Sequence, residues 1–490
     1  MLGIKLNGHD YKYEIAELFK LFTTQFKFIK EEETKKTLIN ELIQNENSIK
    51  SVTNYYENGE LKLSQEESFN IDSLCKEEVK KKSKTIIKRS IFKVLSQLYK
   101  TYVPWGILTG IRPVKIVHSL LDAGLSEEQI KETLRQNYLI KDEKIELALD
   151  IAKRERVFIY PIDKNKISLY VSIPFCPTRC VYCSFPSNPM KQFGHLRDEY
   201  VKALIKEIKG LAKLLKETKK EIETLYIGGG TPTTLEAVQL DKLIKALFKE
   251  LDLSQIKEFT VEAGRPDTIT KEKLEVMKKH NVTRISINPQ TMNNETLVKI
   301  GRDHNVDDII RCFNMARELG FNNINMDIIL GLVDENVEMV KNTLEKIKEL
   351  SPESLTVHTL AIKRASTLKE NLDKYELTRY EEMINMINLS MEYAKSMGLK
   401  PYYMYRQKHM LGNLENIGYA KEGFECIYNI QIMEEKQTNL AVGAGAISKY
   451  VYVDEDRIER TDNVKNVEIY IDRVDEMIKR KETEVYKNVN

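Results

Sequence analysis

The sequence predicts an α/β fold: a partial, open (β/α)6 TIM-like barrel over residues 166–400, preceded by an α+β domain over 1–165 and followed by a C-terminal lid region over 401–490. Three observations predict it. From Ile167 onward, short β-branched runs alternate with charged amphipathic segments, the pattern of βα units around a parallel sheet. Cysteine-bearing and glycine-rich loops follow the first two of these runs directly, where parallel sheets place their ligands. At 490 residues the chain is too long for one simple core, and 42% apolar with 31% charged residues is ordinary for a chain folded throughout.

The strands are expected at 168–173, 224–228, 258–262, 284–288, 323–330 and 354–360. Helix-like segments lie between them at 199–215, 239–251, 271–280, 306–319 and 337–350. The first 165 residues, rich in Lys, Glu and Asn, carry no cysteine cluster, repeat or glycine-rich loop. Within them Gly110-Ile111-Arg112-Pro113-Val114-Lys115 opens a helix, with Pro113 near its first turn and Asp122-Ala123-Gly124 at its end. After Gly398 come a loop-rich stretch, 402–449, and a charged helical tail from about Val464, read together as a lid.

The 76 basic and 74 acidic side chains nearly cancel, which removes the electrostatic footprint of a dedicated nucleic-acid binder. No stretch reaches the apolar length of a membrane span, and the N-terminus lacks the apolar core of a signal peptide. Three of the six cysteines crowd into eight residues, which fits a reducing compartment and a metal site, so a cytoplasmic location is expected.

The string Tyr170-Val171-Ser172-Ile173-Pro174-Phe175-Cys176-Pro177-Thr178-Arg179-Cys180-Val181-Tyr182-Cys183 places three thiols at C-x3-C-x2-C just after a strand. A [4Fe-4S] cluster normally takes four thiolates, so three ligands leave one iron open to an external ligand. The alternatives are a zinc site or three buried thiols. Zinc takes four ligands and usually pairs its cysteines at two separated places, whereas Cys75, Cys312 and Cys426 are solitary and fit ordinary buried side chains. After the second strand, Gly228-Gly229-Gly230-Thr231-Pro232 lets the backbone approach a ligand with bared N–H groups, or makes only a tight turn. Asp327 is a lone acid in an apolar strand, costly to bury without a partner, and is read as facing a ligand. His304 is taken as a helix-surface residue.

These strings in this order resemble the radical S-adenosylmethionine (SAM) superfamily, and within it the oxygen-independent coproporphyrinogen III oxidases and their HemN, HemW and HemZ-like relatives. The resemblance runs from Tyr170 to Ile447. It implies a [4Fe-4S] cluster on Cys176, Cys180 and Cys183, with SAM on the open iron. Tyr170 and Tyr182 would flank them, and Gly229, Gly230 and Thr231 would contact the methionyl part. Glu262, Gln290, Arg302, Asp327 and Ala361 match further SAM-binding positions, and Ile447 a second SAM. Glu262-Ala263-Gly264-Arg265-Pro266-Asp267, Tyr405-Arg406-Gln407-Lys408 and the N-terminal Gly110-Ile111-Arg112-Pro113 look most like the HemZ subgroup, the coproporphyrinogen dehydrogenases. The well-understood oxidases have His where this chain has Ser172 and a fourth cysteine where it has Phe185, departures shared in part by haem chaperones of the family.

The resemblance implies oxidative decarboxylation of coproporphyrinogen III to protoporphyrinogen IX in haem biosynthesis, with a donor such as flavodoxin or ferredoxin. A haem-binding chaperone and a radical enzyme acting on haem itself are the rivals, and the balanced charge counts against a tRNA-modifying role. The four propionates of such a substrate call for Arg and Lys. Arg265, Arg364 beside Lys363, and Arg406 beside Lys408 are the candidates, with Tyr402, Tyr403 and Tyr405 to flank a flat macrocycle.

Overall fold

The computed structural model describes residues 1–30, 34–110, 112–185, 187–363, 366–370, 378–407, 410 and 414–486. It divides into two units, Met1–Asp150 and Ile151–Asn490.

The first unit carries strands β1 (Leu2–Asn7), β2 (Phe26–Phe28), β3 (Lys36–Gln44), β4 (Ser48–Glu57) and β5 (Glu60–Asn70) in the order β2-β1-β3-β4-β5. β1 runs parallel to β2 and β3, and β3, β4 and β5 form an antiparallel meander. Asn58 and Gly59 both take positive φ between β4 and β5, the two-residue turn whose twist suits a hairpin. On β4 alternate residues Ile49, Ser51, Thr53 and Tyr55 are buried, and the helix Lys76–Tyr99 buries Ile87, Ile91, Val94 and Leu95 in the same unit. The helix expected after Pro113 is present as Val114–Asp122, closed by Gly124 at φ +79°.

The second unit is built on one sheet. Its strands are β6 (Lys166–Ile173), β9 (Glu221–Gly229), β10 (Glu258–Gly264), β11 (Arg284–Ile287), β12 (Ile324–Leu330), β13 (Ser354–Thr359), β14 (Lys400–Tyr405), β15 (Asn416–Ala420), β16 (Thr438–Val442), β17 (Ile447–Tyr452) and β18 (Arg457–Asp462), while the two-residue β7 (Phe175–Cys176) and β8 (Asn188–Pro189) pair separately. β6, β9, β10, β11, β12 and β13 lie side by side in chain order and all parallel, the six expected βα strands. The helices between them run Arg197–Thr218, Ala237–Glu250, Lys271–Lys279, Val306–Glu318 and Val337–Leu350. Parallel strands are covered on both faces, so they read as nearly continuous apolar runs. β9, for example, buries Ile222, Leu225 and Ile227.

The segment from Pro401 onward extends this sheet at both flanks. β15 pairs antiparallel with β13 and β14 with β15, while β16 pairs parallel with β6 and leads into β17 and β18. The tail helix Val474–Tyr486 packs on Arg197–Thr218. Gly210 makes that packing close: a Cβ there would lie 2.6 Å from Ile478 Cγ2. Cys312 and Cys426 are buried, as expected of solitary cysteines, whereas Cys75 is exposed at the N-cap of Lys76–Tyr99. Among the described residues, no helix is long and apolar enough to cross a membrane.

Candidate functional site

Because the six βα strands are parallel, their C-terminal ends share one edge, and the loops that follow them meet there. β6 runs directly into the cysteine loop. Phe175–Cys176 pairs with Asn188–Pro189, and the Asn188 backbone N–H donates to Pro174 O at 2.8 Å, so the loop is closed at its base. Its middle is tied to the turn before the helix Val306–Glu318. The Val181 N–H donates to Ile300 O (3.1 Å) and the Thr178 hydroxyl to Gly301 O (2.9 Å).

Cys176 and Cys180 are buried, Cys183 is half-buried, and the three lie close enough to affect one another's ionisation. Burial pushes the Cys176 thiol up to about 11 and raises Cys183 as well. Bare thiolates are therefore unfavourable in this loop, and a cationic iron centre is the partner that would stabilise them. The donor set fits a cluster held by three thiolates.

The glycine turn packs against this loop. A Cβ on Gly230 would lie 2.5 Å from Phe175 O and 2.9 Å from Cys176 Sγ, so only glycine leaves room for the sulfur. The N–H groups expected to be bare are engaged. Gly230 N–H donates to Ile173 O and Thr231 N–H to Phe175 O, both at 2.8 Å, and Gly229 N–H meets the Glu262 carboxylate. The turn thus seats the cysteine loop, and Thr231 adds its hydroxyl 3.8 Å from Cys176 Sγ.

Glu262 accepts a hydrogen bond from the Tyr226 hydroxyl at 2.6 Å. Burial raises this carboxyl to about 7, although Tyr226 and Gly229 favour its ionised form. Asp327 shows the opposite balance. Burial works against its charge, but the His358 imidazole 3.9 Å away, the Asn325 amide and the nearby Thr356 hydroxyl outweigh that and hold the carboxyl below its ordinary range. The Asn325 amide donates to Asp327 Oδ1 at 2.7 Å, and Tyr405 Oη lies 3.3 Å from His358 Nδ1. Gln290, at φ +67°, is pinned beside it, its N–H donating to Asp327 O.

Two guanidinium groups converge on Cys180. Arg302 donates to Asn288 O at 2.6 Å and lies beside the side chains of Tyr182 and Cys180. Burial works against its charge, but Tyr182 and Cys180 hold its pKa above the ordinary value. Arg265 places Nη1 3.9 Å from Cys180 Sγ and donates to the Thr178 hydroxyl at 2.9 Å. It is also paired bidentately with Asp267. His304, expected on a helix surface, is instead buried with Nδ1 3.2 Å from Asp267 Oδ1. The βα loop after β10 folds over it, a contact between residues 37 positions apart.

A cavity of about 470 Å³ brings these groups together. The three cysteines, Tyr170, Tyr182, Gly229, Gly230, Thr231, Glu262, Arg265, Gln290, Arg302, Asp327 and Ala361 all line it. Ile447 and Arg406 are not among its lining residues. Ile447 starts β17 with 42% of its surface exposed. Arg406 is buried beside Glu415 and Tyr380, and burial lowers its pKa to about 10. Arg364 and Lys408 lie outside the described residues, while Lys363 lines the cavity with its ammonium over the Phe185 ring. The structure adds Arg284, Tyr226 and His358 to the cavity wall. Arg284 carries the same sequence signal as Asp327, a lone charge in an apolar strand.

The Radical SAM superfamily sequence model matches residues 170–347. The chain is 45% identical over 383 residues, 76% of its own length and 76% of the relative's, to the oxygen-independent coproporphyrinogen-III oxidase-like protein HemZ of Bacillus subtilis. The haem chaperone HemW of the same organism is 32% identical over 317 residues, 63% of this chain and 76% of that one. The solved structure of the coproporphyrinogen III oxidase HemN from Escherichia coli, a radical SAM enzyme, superposes with a TM-score of 0.53 at 26% identity, covering 67% of this chain and 73% of that one. By this similarity over more than two thirds of its length, the chain belongs to the HemN, HemW and HemZ-like branch of the radical SAM superfamily, and its cofactors are a [4Fe-4S] cluster and SAM.

Proposed function

We propose that this chain catalyses the oxygen-independent oxidative decarboxylation of coproporphyrinogen III to protoporphyrinogen IX. One observation supports the reading most. The cavity that receives the three thiols and Glu262 also receives Lys363, Tyr403 and Tyr405, a cation and flat rings suited to a propionate-bearing macrocycle. Cys176, Cys180 and Cys183 would hold the cluster, which when bound would supply the electron for reductive cleavage of SAM and so the radical chemistry that removes a hydrogen from the β-carbon of a propionate, with loss of carbon dioxide passing one further electron to an external acceptor.

The side chains around it bind and orient. Glu262 pairs with the SAM ammonium, Gly229, Gly230 and Thr231, their N–H groups already engaged, border the methionyl part along the cavity wall, and Tyr170, Gln290, Asp327 and Ala361 complete the SAM pocket. Lys363, with Arg364 next to it in sequence, takes a substrate carboxylate. Anaerobic incubation of reconstituted protein with SAM, a strong reductant and coproporphyrinogen III should yield a product that has lost two carboxyl groups by mass. An unchanged porphyrinogen with continued SAM cleavage would reject this substrate.

A second reading, haem delivery, is favoured by the likeness to the HemW chaperones. It predicts haem binding, with SAM consumed only in a stoichiometric burst when porphyrinogen is supplied.

Glu262→Ala and Asp327→Ala are expected to weaken SAM binding while leaving thermal unfolding almost unchanged. Because the Glu262 carboxyl sits at about 7, SAM affinity should fall as pH drops through 7, where the partner of the ammonium becomes neutral. Glu262→Gln should flatten that profile. A large stability loss with unchanged SAM affinity would instead assign both carboxyls to the fold.

Lys363→Ala is expected to raise the porphyrinogen concentration needed for turnover about tenfold, the scale of one charge-assisted hydrogen bond. Cluster content and uncoupled SAM cleavage should not change. An unaltered concentration dependence would remove Lys363 from the substrate pocket.

A further inference from the structure

We propose that Arg265, oriented by Asp267 and His304, is a positioning residue that raises the reduction potential of the cluster through the Cys180 sulfur. The proposal rests on the reading that Cys176, Cys180 and Cys183 are the cluster ligands. Its basis is geometric.

Arg265 is only 4% exposed, and each of its three guanidinium nitrogens has a partner. Nε and Nη2 bind the two oxygens of Asp267 at 3.0 and 2.8 Å, which fixes the plane of the group. His304 holds Asp267 from the other side at 3.2 Å. The remaining nitrogen, Nη1, is thereby aimed at the cysteine loop, where it meets Thr178 O, Thr178 Oγ1 and Cys180 Sγ at 3.2, 2.9 and 3.9 Å. A residue expected to greet substrate carboxylates is instead spent on the loop. Among the described residues no comparable cation touches Cys176, whose sulfur meets the Thr231 hydroxyl at 3.8 Å.

Hydrogen bonds to the sulfurs and nearby charge are among the factors that set an iron-sulfur potential. One-electron reduction by the donor adds a negative charge at the sulfurs. The Arg265 N–H facing Cys180 stabilises that charge. Asp267 therefore has two opposing roles: it aims the guanidinium, and it partly offsets the positive charge.

The test is a redox titration followed by electron paramagnetic resonance, without SAM, on reconstituted wild-type, Arg265→Gln, Arg265→Lys and Asp267→Asn proteins, with iron and sulfide measured in each. The midpoint should shift to more negative values in Arg265→Gln, return part of the way in Arg265→Lys and shift to more positive values in Asp267→Asn. A structural role alone would not move the two sites in opposite directions. Unchanged midpoints with full cluster content overturn the proposal, as do shifts of the same sign in Arg265→Gln and Asp267→Asn. Loss of the cluster from all three variants assigns the network to the fold and overturns it too. Failure of the ligand assignment is seen separately, as full cluster content in Cys180→Ala.

Discussion

Cys180→Ala is expected to leave a protein that folds, binds little iron and cleaves no SAM above background. A cluster with three protein ligands has none to spare, because the fourth iron must stay open for SAM. Cys180 is also the most heavily supported of the three sulfurs, with Arg265, Arg302 and Tyr182 around it. The loop itself does not depend on this thiol. Val181 N–H still reaches Ile300 O, Thr178 still reaches Gly301 O, and Cys183 N–H still reaches the backbone carbonyl of residue 180. Thermal unfolding measured on protein freed of iron should therefore match wild type, while iron, sulfide and the paramagnetic signal after anaerobic reconstitution collapse. Full cluster content together with normal SAM cleavage would show that Cys180 is not a ligand.

The six βα strands were legible because parallel strands buried on both faces must be written in apolar, β-branched residues. β12, Ile324–Leu330, is one such run, interrupted only by Asn325 and Asp327. The thiol loop was legible because its ligands are close in sequence. What stayed hidden depends on partners far apart in the chain. His304 reads as a surface residue until Asp267 arrives from another βα loop, and Arg265 reads as a substrate cation until Asp267 and Thr178 claim it. The N–H groups of Gly230 and Thr231 read as free because their acceptors, Ile173 O and Phe175 O, lie more than fifty residues earlier. A helical tail rich in charge likewise gives no sign that one of its lysines is internal.

That lysine carries the second large effect: Lys481→Met is expected to destabilise the unit Ile151–Asn490 by about 3–5 kcal/mol, the scale of leaving one buried charge without its partner. Glu207, in the helix Arg197–Thr218, is fully buried, and Lys481 Nζ lies 2.6 Å from its Oε1 and 2.7 Å from Asn463 Oδ1. The Asn463 amide donates to the same Glu207 oxygen, while Oε2 accepts from Gly443 N–H at 2.7 Å and from the Tyr470 hydroxyl at 2.5 Å. Without the ammonium, these neutral donors surround an uncompensated carboxylate. The damage should reach the site, because Gly443 leads into Ala444 and Gly445 in the cavity wall. There Ala444 accepts from the Ser172 hydroxyl and donates to the Tyr200 oxygen, each at 3.0 Å. SAM affinity should fall with stability, unlike the Glu262 and Asp327 variants, which separate the two. Pairing Lys481→Met with Glu207→Gln removes both charges, and the double variant should recover more than about 1 kcal/mol relative to the sum of the single losses. Urea unfolding followed by far-ultraviolet circular dichroism reads this, since the one tryptophan, Trp105, reports on the other unit. Hydrogen exchange over 197–218 and 474–486 locates it. Wild-type unfolding and exchange in Lys481→Met would mean that the buried pair contributes no net stability to the fold.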